Sequence, residues 1–335
     1  MIVGLTRTQV MTINVGIVGT GWVASQHIAA LKKTERVCIR AICGRNTTRA
    51  AELTAGTGAA VYDHWQKMLS AEQLDAVFIL LPPHLHGDLE VACAQSVKGV
   101  LIEKPIGVDV ETAERIDAAF RHAGTIVSVG YMSRYRESVR KTRDLFANTS
   151  DPVALVNGWW IGEMPGPLWW RDLAQSGGQF VEQCTHLVDA ARYIVGEIAE
   201  VSAFSTRGFV RDVPGYSVED AMVVNVRFAS GAIGNFTTAC HPQGFGSVGL
   251  KVSSRTTQCS LTGWSLDLQV EQHKAETLQH KSQEDIFVVQ NQAFLRAVIE
   301  QDKSLIRSSY GDAMKTLRVT LAANDAAISG KTIRV

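Results

Sequence analysis

Short, unbroken apolar runs alternate with amphipathic segments through the first third of the chain. The runs are "NVGIV" (14–18), "VCIRAICGR" (37–45), "LDAVFILLPP" (74–83), "GVLIEKP" (99–105) and "TIVSVGY" (125–131). Between them lie "ASQHIAALKK", "TTRAAELTAGTG", "AVYDHWQKMLSAEQ" (a short strand, then a helix), "HGDLEVACAQS" and "DVETAERIDAAFRHAG". Strands rich in Val, Ile and Leu without alternation are buried on both faces, so the pattern predicts a parallel sheet covered by helices. After a helix at 135–148 and the turn "TSDP" the period changes. "VALVNGWWIG", "EVSAFSTRG", "EDAMVVNVRFAS", "GAIGNFTTAC" and "GLKVSSRTTQCSLTGW" alternate with period two, which predicts a largely antiparallel sheet with one covered face. One helix is set into it at 178–195, stopped by Gly196, and two more close the chain at 284–300 and 311–328. The fold class is therefore α/β, with a doubly wound domain at 11–131 and a second α/β domain at 132–335.

Composition narrows the function. A chain of 335 residues suits two cores, and equal numbers of cationic and anionic side chains leave no electrostatic footprint for nucleic acid. No apolar run reaches the length of about 20 residues that crosses a bilayer. The first ten residues lack the apolar core of a signal peptide, and residues 1–10 read as a disordered extension ahead of Met11. Six cysteines show neither C-x-x-C pairs nor metal-ligand spacing, which points to reduced thiols and a cytoplasmic protein without a metal.

Three segments carry chemistry. The first strand runs into Gly19-x-Gly21-x-x-Ala24. This is the pattern of a tight turn that lets a pyrophosphate approach the backbone at a helix N-terminus. Gly19, Thr20, Gly21, Trp22 and Val23 are the candidate cradle; a glycine-rich βα turn with no ligand is the plainer alternative. The fourth unbroken run ends on Glu103-Lys104-Pro105. Open α/β sheets bind ligands at the carboxyl ends of their strands, so Lys104 is a candidate proton-transfer group and Glu103 a candidate ribose ligand. In "SGGQFVEQCTHLVDAARYIVG", Glu182, His186 and Asp189 fall at i, i+4 and i+7. One helical face would then hold a proton relay, with Glu182 orienting and charging His186. A metal site and a structurally satisfied core histidine are the alternatives.

Together these segments resemble the Gfo/Idh/MocA oxidoreductases, the glucose–fructose oxidoreductase and inositol dehydrogenase group. The resemblance rests on "GTGWVA", "PPHLH", "EKP", "GYMSRY", "GGQFVEQCTHLVD" and "SSYGDAMKTLRVTLAANDAAISGK", and runs from about residue 13 to the end. It implies a Rossmann domain joined to a domain with an open-faced, mainly antiparallel sheet, and an active site in the cleft between them. It implies Lys104, His186 and Glu182 as catalytic residues, a cis peptide at Lys104–Pro105, and cofactor contacts from Leu81, Pro82 and His86. Family members usually have Asp where this chain has Glu182. The resemblance also implies a homodimer or homotetramer built on the open sheet face.

The end of the second strand bears on the cofactor. An acid there would bind a ribose 2′-hydroxyl, but the chain has Gly44-Arg45-Asn46, which favours NADP over NAD. Stacking of Arg45 on adenine in an NAD enzyme is the alternative. Trp160 and Trp170, one from each Trp-Trp doublet, are candidate platforms for a sugar or polyol ring, with Arg134 and Arg171 as polar anchors. The expected function is an NAD(P)-dependent dehydrogenase of a sugar, inositol or related polyol. A glycosidase or lyase using transient oxidation and a non-catalytic dinucleotide sensor are the alternatives.

Overall fold

The computed structural model describes residues 12–335; the extension expected at 1–10 lies outside the described residues. Six parallel strands form the first sheet: β1 (Ile13–Val18), β2 (Val37–Cys43), β3 (Ala60–Tyr62), β4 (Ala76–Ile79), β5 (Gly99–Ile102) and β6 (Ile126–Val129). Their order is β3-β2-β1-β4-β5-β6, so the winding reverses beside β1. In such sheets the crevice at this reversal is the ligand site. The connecting helices are α1 (Trp22–Lys32), α2 (Thr47–Leu53), α3 (Trp65–Ala71), α4 (Asp88–Ser96) and α5 (Val110–Ala123). Strands β4, β5 and β6 are buried throughout, as their unbroken apolar runs require.

The second part contains α6 (Glu137–Ala147), β7 (Leu155–Ile161), the helical turn α7 (Leu173–Ser176), α8 (Thr185–Val195), β8 (Ile198–Thr206), β9 (Ala221–Phe228), β10 (Ile233–Ala239), β11 (Ser247–Ser253), β12 (Thr257–Thr262), β13 (Asp267–Gln272) and β14 (Leu278–His280). Helices α9 (Ile286–Glu300) and α10 (Tyr310–Ser329) and the short β15 (Ile333–Arg334) end the chain. The nine strands form one sheet, β14-β13-β12-β11-β7-β10-β9-β8-β15, antiparallel except between β7 and β10. Alternation decides its faces. On β9, Met222, Val224, Val226 and Phe228 enter a core shared with α8, while Val223, Asn225 and Arg227 point outward. The outer face also exposes Phe204 and Ile233.

Two features depart from the sequence reading. The run at 249–264 is two strands, because Asp151 accepts the Arg255 and Thr256 backbone N–H groups (3.2 and 2.8 Å) and turns the chain there. The last two helices return to the first sheet. On α9, Phe294 and Val298 pack so tightly over Gly99 that a Cβ there would lie 2.3 Å from Val298. The first half of α10 (Tyr310, Ala313, Leu317) packs against α5, and its second half (Val319, Ala322, Ala326) lies under the nine-stranded sheet. A division at Tyr131 therefore describes the chain order but not the packing.

Candidate active site

The turn after β1 accepts only glycine at its first position. Gly19 has φ of 121°, and a Cβ there would meet the Leu80 carbonyl oxygen at 2.2 Å. Gly21 is the N-cap of α1, and nothing lies within 4 Å of the position its Cβ would take. The first N–H groups of α1 and this open approach suit a diphosphate, so the residues present fit a dinucleotide. Ala24 is fully buried and lets α1 lie close to the sheet.

A cavity of about 1240 Å³ extends from this turn to the second sheet. Gly19, Thr20, Gly21, Trp22 and Val23 wall one end, and Gly44, Arg45 and Asn46 continue it. Leu81 and Pro82 lie along its length, and Trp160, Trp170, Glu182 and His186 stand at the far end with Lys104. Asn46 also caps α2 by accepting the Arg49 N–H (2.9 Å). Asp63, Trp264 and Phe287 wall the cavity too and were not anticipated. They come from the tip of β3, the β12–β13 turn and α9, elements that only the folded topology brings to the cleft.

Lys104 follows β5 at the bottom of the cleft, and its peptide bond to Pro105 is cis. Its Nζ donates to Glu182 Oε1 at 2.6 Å and to the Glu182 carbonyl oxygen at 2.7 Å. The other Glu182 oxygen accepts the Trp170 indole N–H at 2.9 Å. Glu182 therefore holds Lys104, and no hydrogen bond joins it to His186. The reason is that both carboxylate oxygens are already taken, one by Lys104 and the other by the Trp170 indole, within a stretch, Phe180–Cys184, that is π-helical. Asp189 leaves the relay as well, because it forms a bidentate pair with Arg134 at 2.8 and 2.7 Å.

His186 is 7% exposed, stacks on Trp160 with ring centroids 5.9 Å apart, and meets Tyr131 edge-on. Its Nδ1 is buried without a partner among the described residues. Burial first, and then the charges of Lys104 and Arg136, hold its pKa well below the usual histidine value. Both effects favour the neutral imidazole, where the sequence reading expected the charged form.

Three other expected ligands lie elsewhere. His86 is buried against Glu90 (Nδ1 to Oε1, 2.6 Å), whose second oxygen accepts the Gly87 N–H, so the pair closes the start of α4. Arg134 is buried in its ion pair with Asp189, with Asp312 alongside. Arg171 lines a separate hollow of about 560 Å³ with Glu163, Asp212 and His241. The Trp doublets divide as strand alternation requires at β7: Trp160 faces the cleft, and Trp159 covers Gly249 on the outer face. At the second doublet both Trp169 and Trp170 reach the cavity.

Comparison with known proteins follows this geometry. Residues 13–131 match the family described as "Oxidoreductase family, NAD-binding Rossmann fold", and residues 152–251 match the GFO/IDH/MocA C-terminal domain. Myo-inositol 2-dehydrogenase of Thermotoga maritima is 27% identical over 66% of this chain and 66% of its own length. Scyllo-inositol 2-dehydrogenase (NAD(+)) of Bacillus subtilis is 27% identical over 50% of this chain and 49% of its own. The chain thus spans about half to two thirds of these relatives. Among solved structures, levoglucosan dehydrogenase in complex with NADH superposes with a TM-score of 0.86 at 18% identity, covering 96% of this chain and 99% of that one. The WlbA dehydrogenase of Bordetella pertussis, in complex with NADH and UDP-GlcNAcA, gives 0.82 at 21% identity, covering 97% and 99%.

Proposed function

The chain belongs to the Gfo/Idh/MocA oxidoreductase family, and we propose that it is an NAD(P)-dependent dehydrogenase that oxidises a secondary hydroxyl of a sugar, inositol or related polyol. The observation that carries this reading is the meeting of Lys104, Glu182 and His186 at one end of a cavity whose other end is a dinucleotide cradle. When bound, the nicotinamide supplies the hydride acceptor.

The chain's own groups manage the proton. Glu182 occupies two Lys104 donor positions through its side chain and backbone, which leaves the third for the substrate oxygen. A lysine held this way stabilises negative charge developing on that oxygen. The neutral His186 takes the hydroxyl proton, and its stacking on Trp160 fixes the plane of the ring. Trp160, Trp169 and Trp264 offer apolar faces on which the C–H side of a carbohydrate ring would rest. Arg45, beside Gly44 and without an acid at the tip of β2, supports NADP as the preferred dinucleotide.

Purified protein assayed at 340 nm against a panel of inositols, aldoses and glycosides, with each dinucleotide, tests the reading. Steady reduction with at least one of them is expected. Dinucleotide binding without turnover of any member of the panel would overturn it.

The outer face of the nine-stranded sheet supports a second copy of the chain as partner. Leu155, Phe204, Val223 and Ile233 are exposed there among amide and hydroxyl side chains. Light scattering at micromolar concentration should give a mass of at least two chains; a monomer mass would refute this.

A further inference from the structure

Behind Lys104, running inward from Glu103 on the cavity wall, three side chains from distant parts of the sequence form one hydrogen-bonded line. Asn291 of α9 places Oδ1 2.8 Å from His27 Nδ1, and His27 of α1 places Nε2 3.0 Å from Glu103 Oε1. The other Glu103 oxygen accepts the backbone N–H of Lys104 at 3.2 Å. His27 and Asn291 are completely buried, and Glu103 nearly so. Neither the glycine cradle nor the Lys104–Glu182–His186 group accounts for this arrangement.

We propose that His27 and Asn291 are positioning residues for Lys104, acting through Glu103, and that His27 does so as a cation with a proton on each ring nitrogen. The orientation of the Asn291 amide decides the charge. Its Nδ2 donates to the His27 carbonyl oxygen at 3.3 Å, so Oδ1 is the atom that faces the ring. A carboxylate, which only accepts, faces the other ring nitrogen. Both nitrogens therefore donate, and Glu103 balances the ring's charge where no water reaches it. Phe78 and Phe287 meet the ring edge-on, at centroid distances of 5.6 and 5.1 Å, and prevent it from turning. Gly130 backs the carboxylate so closely that a Cβ there would lie 2.6 Å from it. With ring and carboxylate both fixed, the amide of Lys104 is fixed too, and with it the base of the side chain that reaches Glu182. The same line ties α1, whose N-terminus forms the dinucleotide cradle, to α9, whose Phe287 walls the cavity.

The test combines two measurements, and the kinetic one rests on the dehydrogenase reading above. Proton–nitrogen NMR of the full chain needs no substrate, so it separates failure of this proposal from failure of that reading. Two ring N–H resonances, both lost in His27→Gln, are expected from His27, and a single one would overturn the charged ring. With the best polyol from the screen, Asn291→Leu and His27→Leu should each lower kcat by about tenfold or more. Loss of geometry at a reacting group can cost as much as about 10²-fold. KM should stay within about twofold, and His27→Gln, which can still donate to Glu103, should recover part of the loss. Variants that melt lower but keep wild-type kcat would show a purely structural line and overturn the positioning role. If His27→Leu fails to fold, Asn291→Leu and the wild-type spectrum decide the matter.

Discussion

Lys104 and Glu182 form the closest charged contact in the cleft, 2.6 Å between Nζ and Oε1, and the Trp170 indole occupies the other carboxylate oxygen. A pair gripped from both ends acts as a unit. Lys104→Ala should cut kcat by about 10²–10³-fold while dinucleotide binding is nearly kept, the range for a lost donor to a developing oxyanion. Glu182→Gln removes the anion that holds the lysine and should cost somewhat less. The double variant should lose less than the product of the two single losses. Multiplicative losses in steady-state kinetics would show that the two residues act independently.

His186 should give the rate and the stability a common pH signature. Its pKa is depressed in the fold, by burial and by Lys104 and Arg136, whereas in the unfolded chain it lies near about 6.5. As the pH falls below about 6.5, the unfolded chain takes up a proton that the native state refuses, and stability is lost. Above that value the contribution is constant. His186→Gln should therefore flatten the acid side of a stability–pH curve measured by urea unfolding. The acid limb of alcohol oxidation should likewise lie below about 6.5. A limb at or above that value would mean that the imidazole is not the proton acceptor.

The buried Arg134–Asp189 pair yields a prediction of the opposite kind. Both side chains are almost fully buried, and Thr316 and Asp312 complete the cluster between α8, α10 and the loop after β6. Arg134→Ala would remove the bidentate partner of buried Asp189 and leave only Arg192, 3.9 Å away, so the expected loss of stability lies toward the lower end of about 3–5 kcal/mol. The KM for the polyol should not change, because Arg134 does not reach the cavity. A raised KM with unaltered denaturation would return Arg134 to the substrate site.

How far the sequence could be read follows from how local each signal is. The parallel sheet, the glycine turn and Lys104 at a strand end rest on neighbours in the chain, and strand alternation required one Trp of the β7 doublet to face inward without saying which. Glu182 and His186 share a spacing that brings both to the cleft, but nothing near them in the chain says that Lys104 and Trp170 take both carboxylate oxygens. His86 resembles a ligand until Glu90, four residues on, is seen to take it. Arg134 finds Asp189 and Asp312 across the packing of the second domain, and α9 reaches back to the first sheet. Such long-range partners leave no periodic trace. Asp63, Trp264 and Phe287 were missed for the same reason.

Cofactor choice turns on a charge at the tip of β2. Arg45 is exposed on the cavity wall beside Gly44, and β2 ends on Cys43 with no acid of its own. The nearby carboxylate is Asp63, after β3, whose oxygens both bond Lys67 (3.0 and 3.2 Å), and this contact lowers its pKa. A guanidinium at this place would pair with a ribose 2′-phosphate, a charged hydrogen bond worth about 1.5–3 kcal/mol. Arg45→Glu replaces that attraction with repulsion, and the dissociation constant for NADP should rise at least about tenfold more than that for NAD. Asp63→Asn removes a negative charge from the same end and should tighten NADP while leaving NAD nearly unchanged. Both constants can be read by titrating tryptophan fluorescence with each dinucleotide. Equal losses for the two dinucleotides in Arg45→Glu would show that Arg45 packs on the adenine instead of reading the 2′ position.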